Sequence, residues 1–364
     1  MDTVEVLRKL VGFDTTSRRS NRELTAWAAD ALERSGARIR LTRNAEGTKE
    51  NVLASFGPEG DGGIVLSGHT DVVPAGDAKW TADPFTLTDR NDLLVGRGAA
   101  DMKGFIAACV SAAPTWSCTA LKKPIHVALS FDEEVTCLGV PLLIDDMVRH
   151  VGKPALAVIG EPTEMRIGKS HRGFCGFCAT FKGLAAHSSD PARGRNAIEP
   201  AAALATFLLR PGFAPPGATI SVNMINGGAA INIVPEQSTL FWECRPTRSA
   251  DGVALRRQVE AFLAEAVSPD IAVSIEQTVA VEPLDGEANA TALVAAAEFG
   301  GLGPGVALHF GSEAGLFQQA GIPSVVCGPG SIAQAHQVDE WIARSELAKA
   351  DRFMAAVGRW AAGV

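Results

Sequence analysis

The chain has 364 residues, of which 46% are hydrophobic and 20% charged, a composition that excludes a disordered chain and a multi-span membrane protein. The 33 Lys and Arg are outnumbered by 41 Asp and Glu, and no basic stripe is present, so we expect no nucleic-acid partner. At roughly 100–200 residues per domain, the length predicts about two domains.

The compartment can also be predicted from the sequence. The first residues have no basic segment followed by a long apolar run, so we expect no signal peptide. The longest apolar run, residues 201–209, is far shorter than the roughly 20 residues of a membrane span, so we expect no membrane partner. The seven cysteines are odd in number and scattered, which is typical of reduced thiols. We therefore expect a cytoplasmic protein.

Helical and strand patterns alternate over the first part of the chain. Apolar residues at helical spacing predict helices, and short apolar runs followed by glycine predict strands. This alternation is typical of a layered α/β sheet. The predicted elements are, in order, helices 4–11 and 24–32, strands 51–56 and 63–66, helix 104–113, strand 125–131, helix 141–148 and strand 155–160.

The middle of the chain has a different pattern, strand-helix-strand-strand-helix-strand, which suits a small α+β (ferredoxin-like) domain. After residues 281–284 the α/β pattern returns. We therefore predict two domains, a mixed-sheet α/β domain of residues 1–170 and 281–364 and an inserted α+β domain of residues 171–280. The predicted elements here are strand 173–182, helix 196–209, strands 218–226 and 238–245, helix 255–265, strand 271–277, helix 290–299, strand 324–327 and helix 344–357.

The first group of polar residues with a chemical interpretation is the segment 67–71 (SGHTD), which follows a predicted strand. In open α/β sheets, ligands bind at that edge. His69 and Asp71 are two residues apart, so in extended backbone they point the same way. A carboxylate there can accept the second N–H of a metal-bound imidazole. An ordinary histidine in a surface loop is the alternative.

Carboxylates follow other predicted strands. Asp101 lies in a glycine-rich loop before a helix, where it can be a helix cap or a ligand. Three consecutive carboxylates, residues 132–134, repel one another, and a dication would hold them together unless they are simply solvated. Since adjacent side chains diverge, Glu134 can bind metal while Glu133 faces water. With Glu161 and His336 after two further strands, the set suits zinc, with two ions bridged by one carboxylate.

In this order, the motifs resemble those of the zinc-dependent aminoacylase, deacetylase and carboxypeptidase superfamily. The resemblance covers nearly the whole chain, from residues 13–17 through 132–135 and 186–189 to 328–331. Within the superfamily, the chain is most similar to the acetylornithine deacetylases, through residues 160–163, 170–173, 187–191 and 311–317.

The resemblance implies a role for each site residue and a metal cofactor of two Zn²⁺ per subunit, for which Co²⁺ can substitute. It implies that Glu133 is the general base and acid, that Asp71 orients His69, and that the peptide bond from Asp101 to Met102 is cis. The implied metal ligands are His69 and Glu161 for one ion, Glu134 and His336 for the other, and Asp101 as the bridge.

The resemblance also implies that the inserted domain is a lid and the dimerisation surface of a homodimer. His187 would reach the active site of the partner subunit and help to hold the oxyanion. Asn232 and Arg245 match lid residues that contact substrate, Arg245 through a substrate carboxylate. Ser312, in the loop 311–315, stands where we expect Thr and keeps the hydroxyl that can meet substrate; a simple turn is the alternative.

The implied activity is metal-dependent amide hydrolysis with a small N-acyl amino acid as substrate. Zinc would lower the pKa of water, and Glu133 would take its proton. We expect removal of acetate from N2-acetyl-L-ornithine to give L-ornithine, a step of arginine biosynthesis, and Glu313 is a candidate partner for the ornithine amine. The alternatives are a deacylase of N-acetylcitrulline or another N-acyl amino acid, a metallo-dipeptidase or carboxypeptidase, and an inactive binding or dimerisation relative. The pair Cys175 and Cys178 can be a metal or redox pair or buried small residues.

Overall fold

The computed structural model describes residues 1–76, 79–297 and 302–364. The chain forms two compact units. The first unit comprises Met1–His171, Gly286–Leu308 and Ser312–Val364, and the second comprises Arg172–Asp285 and His309–Gly311.

The first unit contains seven of the helices that the structure describes and most of the strands. Its helices are α1 (Thr3–Val11), α2 (Arg22–Arg34), α3 (Gly104–Ser117), α4 (Gly139–His150), α7 (Ala290–Ala297), α8 (Ala314–Gln319) and α9 (Arg344–Ala362). Its strands are β1 (Arg38–Arg43), β2 (Glu50–Phe56), β3 (Ile64–His69), β4 (Thr88–Arg90), β5 (Leu93–Val95), β6 (Ile125–Ser130), β7 (Leu156–Pro162), β8 (Arg166–His171), β13 (Leu302–Leu308), β14 (Ser324–Gly328) and β15 (Trp341–Ala343).

A mixed sheet of eight strands, in the order β1-β2-β6-β3-β7-β14-β8-β13, organises this unit. Strand β3 is parallel to both β6 and β7, so these three strands end at one edge. All residues of β3, β6 and β7 are buried, because helices cover both faces of a central parallel sheet. One packing contact is close: Gly160 of β7 lies against Phe105 of α3, and a Cβ at residue 160 would be 2.0 Å from the ring.

The second unit follows the predicted order of elements and forms a four-stranded antiparallel sheet, β10-β11-β9-β12. Its core is apolar and includes Phe177 and Trp242, whose rings stack with centroids 4.3 Å apart. The predicted fold class, an α/β domain with a mixed sheet and an inserted α+β domain, is confirmed. The elements are β9 (Phe174–Lys182), α5 (Ile198–Leu208), β10 (Thr219–Gly227), β11 (Gln237–Arg245), α6 (Ser249–Ala266) and β12 (Ala272–Val281).

Strand β13 is one of the strands of the first unit that the sequence patterns do not predict. The glycine-rich stretch after α7 contains β13, which pairs with β8 in parallel. Its sequence, LGPGVAL, has two glycines and a proline and no alternation of polar and apolar residues, and both glycines have positive φ. The predicted helix 290–299 ends at Ala297 as far as the described residues show, and residues 298–299 lie outside them.

The two cysteines of the CxxC segment do not act as a pair within β9. Cys175 is opposite Cys244 of β11, whereas Cys178 is opposite Phe241. Neither belongs to a cluster of possible metal ligands among the described residues. No helix of the described chain is long and apolar enough to cross a membrane.

Candidate metal centre

The ends of three parallel strands bring the predicted ligands together. His69 is the last residue of β3, Glu161 lies near the end of β7, and Glu133 and Glu134 follow β6 after a residue with positive φ, Asp132. Because β6, β3 and β7 are neighbours in the sheet, their ends place one imidazole and several carboxylates within a few ångströms.

Two further loops complete the cluster. Asp101 lies in the turn that precedes α3, and the peptide bond between Asp101 and Met102 is cis, as expected. His336 has positive φ in the segment after β14. His336 Nε2 is 3.3 Å from Asp101 Oδ2 and 3.0 Å from Glu134 Oε2, so a residue near the end of the chain reaches two acidic groups of the first half.

The ligand atoms of the described residues form two groups that can each hold a metal ion. One group is His69, Glu133 and Glu161, and the other is His69, Asp101 and Glu134, with all candidate ligand atoms of a group within 4.8 Å of one another. His69 Nε2 is 3.1 Å from Asp101 Oδ1 and 3.7 Å from Glu161 Oε1. The structure therefore brings all five predicted ligands together, while the assignment of each ligand to a particular ion stays a prediction.

The charges of the cluster are not balanced by the protein alone. Burial and the neighbouring carboxylates raise the pKa values of Glu133, Glu134 and Glu161 above their usual range. Burial disfavours charge on His69, but its hydrogen bond to Asp101 and the surrounding carboxylates raise its pKa well above normal. Hydrogen bonds to Asp101 and Glu134 raise the pKa of His336 to about 10. The cluster thus gathers carboxylates whose ionised forms a dication would stabilise.

A buried atom without a partner supports this interpretation. Glu161 is only 3% exposed, and its Oε1 accepts no hydrogen bond from any described residue. An unsatisfied buried carboxylate oxygen is costly, and a metal ion is one way to satisfy it. Imidazole and carboxylate ligands suit zinc, and the residues present therefore fit a metal ion of that kind.

Asp71 differs in detail from its predicted role. His69 Nδ1 is 2.9 Å from the main-chain carbonyl of Asp71, whereas the nearer carboxylate oxygen of Asp71 is 3.7 Å away. The carboxylate instead accepts the N–H of Glu133 at 3.1 Å, the N–H of Glu134 at 3.3 Å and the hydroxyl of Ser17 at 2.7 Å. In this geometry the carbonyl of Asp71 orients the imidazole, and its carboxylate holds the turn that carries the two glutamates.

Ser312 and Glu313 are buried, and Glu313 contacts Ser67 of β3 and Ser130 of β6. Ser312 is 1% exposed, and its hydroxyl lies 3.0 Å from His171 Nε2. Glu313 is fully buried, and its carboxylate accepts hydrogen bonds from the hydroxyls of Ser67 and Ser130. A carboxylate enclosed in this way is not available to a substrate amine, so the structure argues against the expectation for Glu313.

The predicted lid residues all lie in the second unit. His187 is exposed, its Nδ1 is 2.8 Å from the Ser189 hydroxyl, and it pairs with Ile233 in an isolated bridge. The N–H of Ser188 donates to the carbonyl of Asn232, so the structure brings the loops of His187 and Asn232 together.

Arg245 lies apart from those two loops, at the end of β11. Its Nε donates to Glu243 at 3.1 Å, and its guanidinium lies 4.0 Å from the centroid of the Phe174 ring. The roles of the three predicted lid residues toward substrate stay predictions.

Two residues with structural importance for the cluster were not singled out by their patterns. Glu340 and Arg97 are buried and form an ion pair of 2.9 Å beside Asp101. Glu340 lies four residues after His336, and Arg97 lies in the glycine-rich loop of Asp101. A charged residue so close to a predicted ligand is the only signal that the sequence offered.

Comparison with known proteins agrees with the family resemblance found in the sequence. Residues 65–359 match the model of peptidase family M20/M25/M40. The chain is 34% identical over 354 residues to an acetylornithine deacetylase of Pasteurella multocida (strain Pm70), covering 89% of this chain and 87% of the relative.

Solved structures share the fold at low sequence identity. A tripeptidase from Staphylococcus aureus subsp. aureus Mu50 is 18% identical with a TM-score of 0.77, over 100% of this chain and 98% of that one. A Bacillus subtilis protein described as a dinuclear metal-binding peptidase of family M20 is also 18% identical, with a TM-score of 0.69 over 98% and 96% of the two chains. At this identity the likeness concerns the fold alone.

Proposed function

The chain belongs to peptidase family M20/M25/M40, and on that premise we propose that this hydrolase removes acetate from N2-acetyl-L-ornithine and releases L-ornithine. The observation that carries the chemistry is the buried cluster in which Glu133 adjoins Glu134 beside His69 and Asp101. The observation that favours this substrate is the 34% identity to the Pasteurella multocida acetylornithine deacetylase over most of both chains.

The metal ligands in this proposal are those that the resemblance implies. His69 and Glu161 would hold one Zn²⁺, Glu134 and His336 would hold the other, and Asp101 would be a further ligand. When bound, zinc lowers the pKa of water towards neutrality and polarises the acyl carbonyl. The unpartnered Oε1 of Glu161 and the raised pKa values of the three glutamates support a cation at this place.

Glu133 carries the proton in the proposed reaction. Its carboxylate takes a proton from the attacking water as the C–O bond forms, and gives it to the leaving nitrogen as the C–N bond breaks. Burial and the neighbouring carboxylates raise the pKa of Glu133, which suits a group that must hold a proton between the two steps near neutral pH. Asp71 keeps Glu133 in place through its main-chain N–H.

We further propose that the protein is a cytoplasmic homodimer in which His187 acts on the active site of the partner subunit, where it stabilises the oxyanion. A heterodimer of His187→Ala and Glu133→Gln subunits, purified with two different tags, tests this. If His187 acts across the dimer, one of its two sites has both residues and about half of the activity remains. Absence of activity, or a fully active monomer in sedimentation, contradicts the proposal.

The central experiment measures free ornithine released from N2-acetyl-L-ornithine by purified protein. It is run as prepared, after chelation, and after Zn²⁺ or Co²⁺ is restored, with Glu133→Gln as the matched inactive control. Activity that disappears on chelation and returns with metal is the expected result. The same metal-loaded protein is given N-acetylcitrulline, other N-acyl amino acids and dipeptides. If it hydrolyses one of these and releases no ornithine, the metal chemistry stands and the proposed substrate is wrong.

A further inference from the structure

The carboxylate of Glu340 is enclosed by hydrogen-bond donors from the loop that carries Asp101. Glu340 is 1% exposed, and each of its two oxygens accepts two N–H groups. Four donors on two oxygens form a complete set of hydrogen bonds to the carboxylate, while burial raises the pKa of Glu340. The donors are Arg97 Nη1 at 2.9 Å and Gly98 N at 2.9 Å to Oε2, and Ala100 N at 2.9 Å and Asp101 N at 3.0 Å to Oε1.

The carbonyl of Glu340 extends the same contact. It accepts the N–H of Gly96 at 2.8 Å. One residue therefore holds the main chain from Gly96 to Asp101, where four of the six residues are glycine or alanine. The position of the Asp101 side chain follows from that main chain.

Arg97 joins the same loop to the segment of His336. Its side chain is 3% exposed, and Nη1 donates to the carbonyl of Gln337 at 3.2 Å as well as to Glu340. Nη2 donates to the carbonyl of Pro74 at 3.3 Å, and the guanidinium lies 4.9 Å from the centroid of the Trp80 ring. A buried guanidinium in this geometry has several fixed partners, so it acts as a rigid connection between the loops.

These contacts support the main chain next to Asp101 and His336, whose side chains meet in the cluster. His336 precedes Glu340 by four residues, and its Nε2 is 3.3 Å from Asp101 Oδ2. His336 is itself half-exposed, and its imidazole contacts the carboxylates of Asp101 and Glu134. Through these contacts, Glu340 and Arg97 connect the segment of Asp101 to the segment of His336.

We propose that Glu340 and Arg97 are positioning residues that fix Asp101 relative to His336 and thereby determine how tightly the protein holds its metal ions. The inference rests on the proposed function, because it assumes that Asp101 and His336 are metal ligands. It adds two residues that touch neither metal nor substrate. Replacing residues that orient metal ligands costs about 10–100-fold in metal affinity, which sets the expected size of the effect.

The test compares three variants of the full chain. Glu340→Gln keeps the shape of the side chain but turns an NH₂ group toward two N–H donors. Arg97→Lys keeps the positive charge but lacks the guanidinium fork that contacts both Glu340 and Gln337. Glu50→Gln is the matched control, because Glu50 is also buried and also paired with an arginine, Arg43, at 2.7 Å, in a pair outside the cluster. Zn²⁺ affinity is measured by competition with a chromophoric chelator, and Co²⁺ binding by its visible absorption.

We expect Glu340→Gln and Arg97→Lys to bind Zn²⁺ about 10–100-fold more weakly than the unchanged protein, with weaker Co²⁺ absorption, and Glu50→Gln to bind within about threefold. Saturating zinc should restore most of the activity of the two variants. If Glu340→Gln does not fold, Arg97→Lys decides alone.

Three results overturn the inference. Equal zinc affinity in the folded variants excludes a positioning role, and an equal loss in Glu50→Gln means that general destabilisation is the cause. An unchanged protein that binds no zinc overturns the proposed function as well, which separates the two failures.

Discussion

Replacing Asp71 with asparagine separates two roles that this residue has in the cluster. The main-chain carbonyl of Asp71, 2.9 Å from His69 Nδ1, is kept in any substitution. The carboxylate, which accepts the N–H groups of Glu133 and Glu134 and the hydroxyl of Ser17, is changed. We therefore expect Asp71→Asn to disturb the two glutamates while His69 keeps its orientation.

The size of the effect follows from the number of acceptors. If the amide oxygen takes the place of Oδ1, it still accepts the N–H of Glu133. The amide NH₂ then faces the Ser17 hydroxyl, which can turn to accept, and the Glu134 N–H, which cannot. One buried N–H without a partner costs about 1–3 kcal/mol. If this whole free energy is lost from the positioning of Glu133 and Glu134, kcat falls by a factor of about 5–150.

The assay measures kcat and Zn²⁺ affinity of Asp71→Asn beside those of Ser17→Ala. Ser17→Ala removes only the hydroxyl and leaves both main-chain contacts of Asp71, so we expect kcat within about threefold of the unchanged protein. For Asp71→Asn we expect the calculated fall in kcat, with zinc affinity reduced by less than about tenfold. A loss of zinc affinity of more than about a hundredfold would refute the reasoning, because it would mean that the carboxylate orients His69. An unchanged kcat would refute it equally.

Three further predictions concern Glu133 as the proposed proton carrier, a buried histidine and a close packing contact. Glu133→Gln should keep its zinc and lose a factor of about 10²–10⁴ in kcat, and a variant with near-normal kcat would show that another group moves the proton. Burial lowers the pKa of His126, whose Nδ1 lies 2.9 Å from the Ser55 hydroxyl, to about 4, so the unfolded chain takes up this proton first as the pH falls. The stability due to neutral His126 is complete above about pH 6.5 and decreases towards pH 4. Between pH 6.5 and 4.5, the free energy of unfolding in urea should therefore fall by roughly 2–3 kcal/mol less in His126→Gln than in the unchanged protein. An equal fall in both proteins would contradict this. Gly160→Ala places a Cβ 2.0 Å from the Phe105 ring and should cost about 1–3 kcal/mol of stability in thermal unfolding, less when combined with Phe105→Leu; equal losses in both backgrounds would show that the ring is not the cause.

The sequence predicts the central sheet well because its strands are buried on both faces. Each of the strands β2, β3, β6, β7 and β14 contains a short run of consecutive apolar residues, and polar residues follow several of these runs directly. That arrangement was enough to predict the edge where His69, Glu133, Glu134 and Glu161 meet. Strand β13 could not be predicted, because it pairs with β8, more than a hundred residues away, and its glycines interrupt the alternation of polar and apolar residues.

The supporting contacts of the cluster could not be predicted for a related reason. The carbonyl of Asp71 lies 2.9 Å from His69 Nδ1 and the carboxylate 3.7 Å, and sequence spacing does not resolve so small a difference. Glu313 was expected to meet a substrate amine, but the hydroxyls of Ser67 and Ser130 hold it inside the unit. Such contacts depend on tertiary packing, which the local pattern does not contain.

The position of β14 in the sheet has a consequence for the growing polypeptide. β7 and β8 are consecutive in the chain, yet β14 lies between them. Until residues 324–328 leave the ribosome, the fully buried, apolar strand β7 has one open edge, and the whole inserted domain is translated in that interval. Since His336 and Glu340 are translated later still, every nascent fragment lacks a complete cluster. Assembly of the complete cluster is thus deferred until residues 336–340 have been translated, and a chain released earlier presents a strand edge on which other chains can aggregate.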